Sequence, residues 1–215
     1  MNKIIIVDDH SLFREGIKLL IENENLGTVI AEAENGQVFL DLLENLNPDF
    51  VIMDIEMPIM GGLEAIKKAL KIRPNLKILV LTMLNDKTNY TDMIYAGALG
   101  FVVKTSGKNE FENAINTIME GESYFSAELL RQIIVNGNGA TNADSSQLKD
   151  SAFTEREMDV LSLLCKGYSV PEVADMLFLS SKTVEVHRST LLKKTKTKNT
   201  INLVLYALRN KLVEL

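Results

Sequence analysis

Cysteine is almost absent: Cys165 is the sole example in 215 residues, and a lone thiol excludes an internal disulfide. It lies among apolar residues at helical spacing, which assigns it to core packing rather than to redox or metal chemistry. Long apolar runs are missing too. None approaches the roughly 18 residues of a membrane-spanning helix, and the N-terminus lacks a basic region followed by a signal-like apolar block. A cytoplasmic protein with no membrane partner is therefore expected. There is no internal repeat, and the one stretch of biased composition is Asn136 to Ser146, small, polar and poor in apolar residues, which reads as a flexible linker.

Positive charge is scarce in the first part of the chain. Residues 1–150 hold 13 Lys and Arg against 22 Asp and Glu, a net of −9, whereas residues 151–215 hold 10 against 7, a net of +3. The overall −6 hides this asymmetry, which makes the C-terminal part the candidate for a polyanion. On charge alone, an ordinary solvated surface is the simpler account of +3.

What is present is enough for two domains, since 215 residues with 46% hydrophobic and 24% charged content can bury two cores. The N-terminal half alternates apolar strands with amphipathic helices. Strands are expected at residues 3–7, 28–33, 50–54, 77–82 and 100–104, and helices at 11–23, after Asn35-Gly36, at 63–71, 87–96 and 108–120. Five such units with short connections imply a doubly wound, five-stranded parallel sheet of the flavodoxin-like type. Phe50-Val51-Ile52-Met53 has no polar face, as a strand covered on both sides requires, and it ends in Asp54. Asp8, Asp9, Thr82 and Lys104 stand at other strand ends, so all five converge on the sheet edge where open α/β folds bind ligands.

Each acid alone reads as readily as a helix cap. Together, three carboxylates repel unless a cation neutralises them, and all-oxygen ligation suits Mg²⁺. A hydroxyl and an ammonium opposite them offer a donor and a positive charge to phosphoryl oxygens. The set suits a carboxylate that attacks phosphorus to become an aspartyl phosphate.

Ile5-Ile6-Val7-Asp8-Asp9-His10, the run from Pro48 to Pro58 around Asp54, Leu79-Val80-Leu81-Thr82 and Gly97 to Lys104 together resemble the receiver domains of two-component response regulators, over residues 1–121. The resemblance implies that Asp54 is the phosphate acceptor and that Asp8, Asp9, Asp54 and the backbone carbonyl of Glu56 hold Mg²⁺. It makes Thr82 and Lys104 the groups on the phosphoryl oxygens and Phe101 the aromatic switch residue. A dianion on Asp54 would draw the Thr82 hydroxyl over and open space for Phe101 to turn, favouring dimerisation on the face around residues 85–105. Three departures stand out. Met83 follows Thr82 where many receivers carry a smaller residue, Thr105 replaces a frequent proline after Lys104, and Glu56 sets a charge near the entrance.

Residues 122–150 are expected to hold a short helix, Ser126 to Val135, and the linker. Residues 151–215 read as four helices. Thr154 with Glu157 forms a capping pattern; Gly167 stops the first helix. Ser169 with Pro171 opens the second, Ser180 the third, to about Thr195, and Asn199 the fourth. Helices two and three make a helix-turn-helix. The third carries Lys182, Arg188, Lys193 and Lys194, followed by Lys196 and Lys198, against one acid, Glu185. A basic row of this kind can neutralise phosphates while the helix N-terminus faces base edges.

Phe153-Thr154-Glu155-Arg156-Glu157, Leu164 to Ser169, Glu172-Val173-Ala174 and Ser180 to Arg188 resemble the LuxR-type DNA-binding domain, and its combination with a receiver is the architecture of the NarL/FixJ class. The resemblance implies that Lys182, Thr183, Glu185, Val186, Arg188 and Ser189, with Lys193 and Lys194, meet double-stranded DNA, and that the fourth helix dimerises. His187 fits either a phosphate contact or packing. Many members have lysine where Glu185 stands, and Val170-Pro171 replaces a common polar pair. The expected function is a DNA-binding transcriptional response regulator, not an enzyme beyond its own phosphorylation. A histidine kinase or a small acyl phosphate would be the donor, and phosphorylation would promote homodimerisation. Two alternatives are a phosphotransfer enzyme working through the aspartyl phosphate and a partner-binding module that does not touch DNA.

Overall fold

The apolar segments Lys3–Val7, Phe50–Asp54 and Lys77–Thr82 lie in the interior of the N-terminal unit's sheet because none of them has a face to give to water. A computed structural model describes residues 2–83, 90–125, 153–197 and 199–213. The chain divides into two compact units, Met1–Ser126 and Ala127–Leu215. The expected helix over residues 126–135, the linker beyond it and the expected start of a helix at Lys87 lie outside the described residues.

In the first unit, β1 (Lys3–Val7), α1 (Ser11–Asn23), β2 (Thr28–Ala33), α2 (Gly36–Asn45), β3 (Phe50–Asp54), α3 (Gly62–Ile72), β4 (Lys77–Thr82), α4 (Tyr90–Ala96), β5 (Gly100–Val103) and α5 (Lys108–Met119) follow in turn. A two-residue strand, β6 (Tyr124–Phe125), then extends the sheet beyond the five strands expected. The strand order is β2-β1-β3-β4-β5-β6, and every pairing is parallel. β6 escapes a reading based on periodicity because two residues carry none. It is defined by its pairing of Tyr124 with Gly100 and Phe125 with Phe101.

β3 is buried at every position. Ile4, Ile6, Phe50, Ile52, Leu79, Leu81 and Val102 point to one face, where Ile17 and Ile21 of α1 and Phe111, Ile115 and Ile118 of α5 cover them. Alternation along the strands sends Ile5, Val7, Val51, Met53 and Val80 to the other face, where they too are fully buried. Each such side chain withdrawn from water contributes about 1.5–3 kcal/mol. The register places Asp54 opposite Leu81 and Thr82 opposite Val103, so the carboxyl ends of β3, β4 and β5 lie level. Gly62 lets the chain return tightly after β3, because a Cβ there would collide with the Asp54 carbonyl oxygen.

The described residues of the second unit hold four helices: α6 (Glu155–Cys165), α7 (Val170–Leu177), α8 (Ser181–Thr195) and α9 (Thr200–Arg209). Their ends are where the capping chemistry sets them. The Thr154 hydroxyl accepts from Glu157 N–H while Glu157 accepts from Thr154 N–H, and Ser180 and Asn199 accept from Thr183 N–H and Asn202 N–H. Gly167 takes φ +87 after α6, a conformation that only glycine adopts without a Cβ penalty. Val160, Leu161, Leu164, Val173, Val184, Leu191 and Leu203 build the core. Cys165 is buried in it, and burial pushes its thiol up to about 12, so it stays protonated and inert.

An ion pair crosses this core's edge. Lys194 of α8 donates to Glu157 of α6 at 2.7 Å, and the glutamate side chain is only 5% exposed. Burial works against the charged carboxylate, but the hydrogen bonds from Lys194 and Thr154 outweigh it and hold the group below the usual range. A lowered folded-state value contributes stability that is complete above the ordinary carboxylate value of 4.5 and is lost as pH falls through the lower one. Lys194→Ala is expected to destabilise this unit by about 1–3 kcal/mol at neutral pH, since it strands a buried charge. Thermal melts of the full chain should show the deficit shrinking on acidification below 4.5. A deficit that does not change with pH would assign the loss to packing instead.

Candidate functional site

The end of β1 turns sharply because Asp8 captures its own backbone two residues on: Asp8 Oδ1 accepts from His10 N–H at 2.8 Å. Arg14 of α1 donates to the Asp8 carbonyl at 2.5 Å and reaches Glu32 of β2 at 3.3 Å, which pins the turn from outside. Asp8 is thereby held fully buried, and Asp54 is 5% exposed at the end of β3.

Lys104 lies between them. Its Nζ is 2.7 Å from Asp8 Oδ2 and 2.8 Å from Asp54 Oδ2, while the stem passes over the Phe13 ring with Nζ 4.9 Å from the centroid. Burial opposes the ammonium charge, yet the hydrogen bonds and attraction of Asp54 and Asp8 raise its pKa, so it stays a cation. For Asp54 the balance runs the other way. Burial raises its pKa above the ordinary value more than Lys104 lowers it, and the Asp8 charge adds to the rise. Asp54 Oδ1 accepts from Ile55 N–H at 2.7 Å.

Asp9 is more exposed and faces His10, with Oδ1 2.8 Å from Nδ1. Ligand atoms of Asp8, Asp9, His10 and Asp54 lie within 4.8 Å of one another. Glu56 is exposed in the bend directly after β3. Thr82 is at the same edge and buried, but its hydroxyl donates to the Met83 carbonyl at 2.9 Å and faces the Tyr90 hydroxyl at 3.5 Å. Phe101 is 1% exposed. It packs edge-on against Tyr90, with centroids 5.8 Å apart and planes at 87°, and against Phe125 at 5.5 Å.

The structure thus brings Asp8, Asp54 and Lys104 into direct contact, sets Asp9 beside them, and leaves Thr82 and Phe101 joined through Tyr90. Tyr90, Arg14, Phe13 and His10 are members of this neighbourhood that pattern reading did not single out. Tyr90 and Arg14 act across elements, and a periodicity argument sees neither contact. The peptide bond after Lys104 is trans, as Thr105 in place of proline leads one to expect.

In the second unit, Lys182, Val186, Ser189 and Lys193 are exposed at spacings of four, three and four, so they share one face of α8. Other candidates on this helix face elsewhere. Thr183 is drawn into the helix cap, its hydroxyl 2.8 Å from that of Ser180. Arg188 donates to Glu185 Oε2 from Nε at 3.1 Å and Nη2 at 2.7 Å, and from Nη1 to Thr200 Oγ1 at 3.0 Å. Lys194 is held by Glu157, as described above. Lys198 lies outside the described residues.

Residues 4–116 match the family described as response regulator receiver domain, and residues 151–207 match bacterial regulatory proteins of the luxR family. The chain belongs to the response regulators. The response regulator GacA of Pseudomonas aeruginosa is 34% identical over 218 residues, covering 100% of this chain and 99% of that protein. The oxygen regulatory protein NreC of Staphylococcus epidermidis is also 34% identical, with 99% of each chain covered. Among solved structures, RcsB of Salmonella typhimurium superposes with a TM-score of 0.57 at 26% identity, over 95% of this chain and 97% of that one. A LuxR-family response regulator from Aurantimonas gives 0.60 at 32% identity, over 64% of this chain and 99% of that one. This response regulator is therefore of the NarL/FixJ class, a transcriptional regulator with a receiver followed by a LuxR-type DNA-binding domain. No helix among the described residues is long and apolar enough to cross a membrane.

Removing the shared ammonium tests the electrostatic reading of the receiver edge. Lys104→Met leaves two buried carboxylates without their counter-charge and is expected to cost about 1–3 kcal/mol of receiver stability at neutral pH. Asp54 then rises further, and its protonation should recover part of the loss as pH is lowered. Melting temperatures measured across the acid range check this; parallel wild-type and variant curves would exclude the charge explanation.

Proposed function

We propose that Asp54 is the phosphate acceptor of this response regulator and that its modification, supported by Mg²⁺ and donated by a histidine kinase or a small acyl phosphate, promotes dimerisation and promoter binding. The single observation that carries the reading is the Lys104 ammonium placed 2.7–2.8 Å from both Asp8 and Asp54 at the level edge of three strands.

The residues fit the metal. Three carboxylates and one ammonium leave a net charge of −2, which one divalent cation balances, and the buried Asp8 Oδ2 has the Lys104 ammonium, at 2.7 Å, as its sole partner among the described residues. Asp8, Asp9 and Asp54 supply the hard oxygen donors Mg²⁺ prefers, and the carbonyl of Glu56 would join them from the bend after β3. Bound there, Mg²⁺ supplies neutralisation of the negative charge that gathers on the phosphoryl oxygens.

Chemistry then requires one oxygen of Asp54 to form a bond to phosphorus while the bond to the donor's imidazole nitrogen or acyl oxygen breaks, the leaving atom keeping the electron pair. Lys104, already cationic and next to Asp54, is the group available to pair with a phosphoryl oxygen. Thr82 contributes its hydroxyl once it leaves the Met83 carbonyl. That departure also ends its approach to Tyr90, whose ring abuts Phe101, so the switch at Phe101 involves both aromatics. Exposed Met83 (58%) stands where it narrows access. On the DNA side, Lys182, Val186, Ser189 and Lys193 form the reading face. RcsB, which this chain resembles, has been solved as dimers bound to DNA and with a promoter in the presence of phosphomimetic BeF₃⁻, which supports both halves of the reading.

Incubation with Mg²⁺ and a small acyl phosphate should add one phosphoryl group by intact mass, and Asp54→Ala should abolish it. Persistence of the mass shift in that variant would refute the acceptor assignment. Modified protein should also show a larger dimer fraction in sedimentation and tighter retention of promoter fragments. Identical behaviour before and after modification would sink the switch.

A further inference from the structure

Arg188 is one of the cations that the sequence sets on α8, and the structure restrains it closely. Its side chain is 15% exposed and two of its three nitrogens are committed to a single carboxylate oxygen of Glu185, one turn earlier on the same helix. The third points to Thr200, the first residue of α9. A guanidinium in this position is neutralised locally and anchored across two helices. To reach a DNA phosphate it would have to leave two charge-assisted hydrogen bonds, which are roughly twice as strong as neutral ones. Glu185 Oε2 takes both of these bonds, and a carboxylate neutralised by arginine is a weaker acceptor for a cytosine amino group, the base contact open to a carboxylate in the major groove.

The remaining cations make the consequence visible. Lys194 is drawn to Glu157, so among the described residues of α8 only Lys182 and Lys193 are exposed lysines with no acid paired to them. Electrostatic, sequence-independent affinity grows with the number of phosphates neutralised. A helix with four Lys and Arg positions thus presents two of them.

We propose that Glu185 is a restraint on Arg188: it withholds one phosphate-binding cation from DNA and so lowers sequence-independent affinity, leaving discrimination to the exposed face of Lys182, Val186, Ser189 and Lys193. This rests on the reading of α8 as the DNA-contacting helix. Thr200 is the second anchor, which ties the restraint to α9.

The test is a double-mutant cycle in the full-length chain, binding a mixed-sequence DNA duplex across a salt series. Glu185→Gln should tighten binding at low salt and steepen the plot of log affinity against log salt by about 0.9, the value of one added phosphate contact; between 50 and 200 mM salt that is about a three- to fourfold greater loss of affinity. Arg188→Gln alone should change the slope little. In the double variant the gain from Glu185→Gln should vanish. Thr200→Ala, which changes no charge, should move the slope in the same direction by less. An equal gain with Arg188 replaced would show that only the net charge matters, and a shallower slope for Arg188→Gln alone would show that the paired arginine already meets DNA; either result overturns the proposal. Absence of salt-dependent binding by the unmodified and phosphorylated wild type would instead remove the DNA reading of α8 beneath it. Far-UV circular dichroism and melting of each variant confirm that the slopes compare folded proteins.

Discussion

One ammonium shared by two buried carboxylates is the constraint on which the receiver unit is arranged. Asp8 and Asp54 come from neighbouring strands, and neither could stay buried beside the other without Lys104 between them. Holding Lys104 there takes the level register of β3, β4 and β5, the bond from Lys104 N–H to the Thr82 carbonyl at 2.7 Å, and the Phe13 ring under the stem. The fully buried β3 makes Asp54 a fixed point, because a slip by one residue would swap the faces of all its packed side chains and carry the carboxylate away from the edge it shares with β4 and β5. The burial that raises Asp54 and the partners that raise Lys104 are two sides of one arrangement: charge is concentrated, partly balanced and still short of neutrality.

The same physics governs the helical unit, with a different outcome. Its lysines and arginine look alike in sequence but differ in whether an acid lies within reach. Glu157 takes Lys194 because the capping box has already fixed that carboxylate at the start of α6. Glu185 takes Arg188 because three residues along a helix place the two side chains side by side. What remains exposed on α8 is a narrow stripe with an apolar residue, Val186, 60% exposed, between polar ones. Val186 lies outside the core cluster of the described unit.

The edge formed by β4 and β5 divides in a comparable way. Thr82 and Phe101 were each legible from the strand motifs, since both sit at set positions of β4 and β5. The link between them is Tyr90, which belongs to a helix after β4 and meets both from the side. Phe125 on β6 closes the other flank of Phe101 at 5.5 Å. Phe101 is therefore enclosed by two aromatics contributed by short elements, and one of them, Tyr90, also meets the Thr82 hydroxyl.

Sequence alone determined the order of the five main strands and their helices, the caps at Thr154, Ser180 and Asn199, and the set of residues at the sheet's carboxyl edge, because apolar periodicity, capping chemistry and strand-end acids are local signals. Asp8, Asp54 and Lys104 could be brought together on paper because parallel strands align their carboxyl ends whatever the side chains between them. Tertiary structure decided who pairs with whom: Lys194 with Glu157 rather than with solvent, Arg188 with Thr200 across two helices, Thr82 turned to Met83 and Tyr90, and a two-residue β6 that no periodicity reveals. Those choices depend on distances between elements remote in the chain and on which charge is buried first, and neither quantity is written in any local stretch of residues.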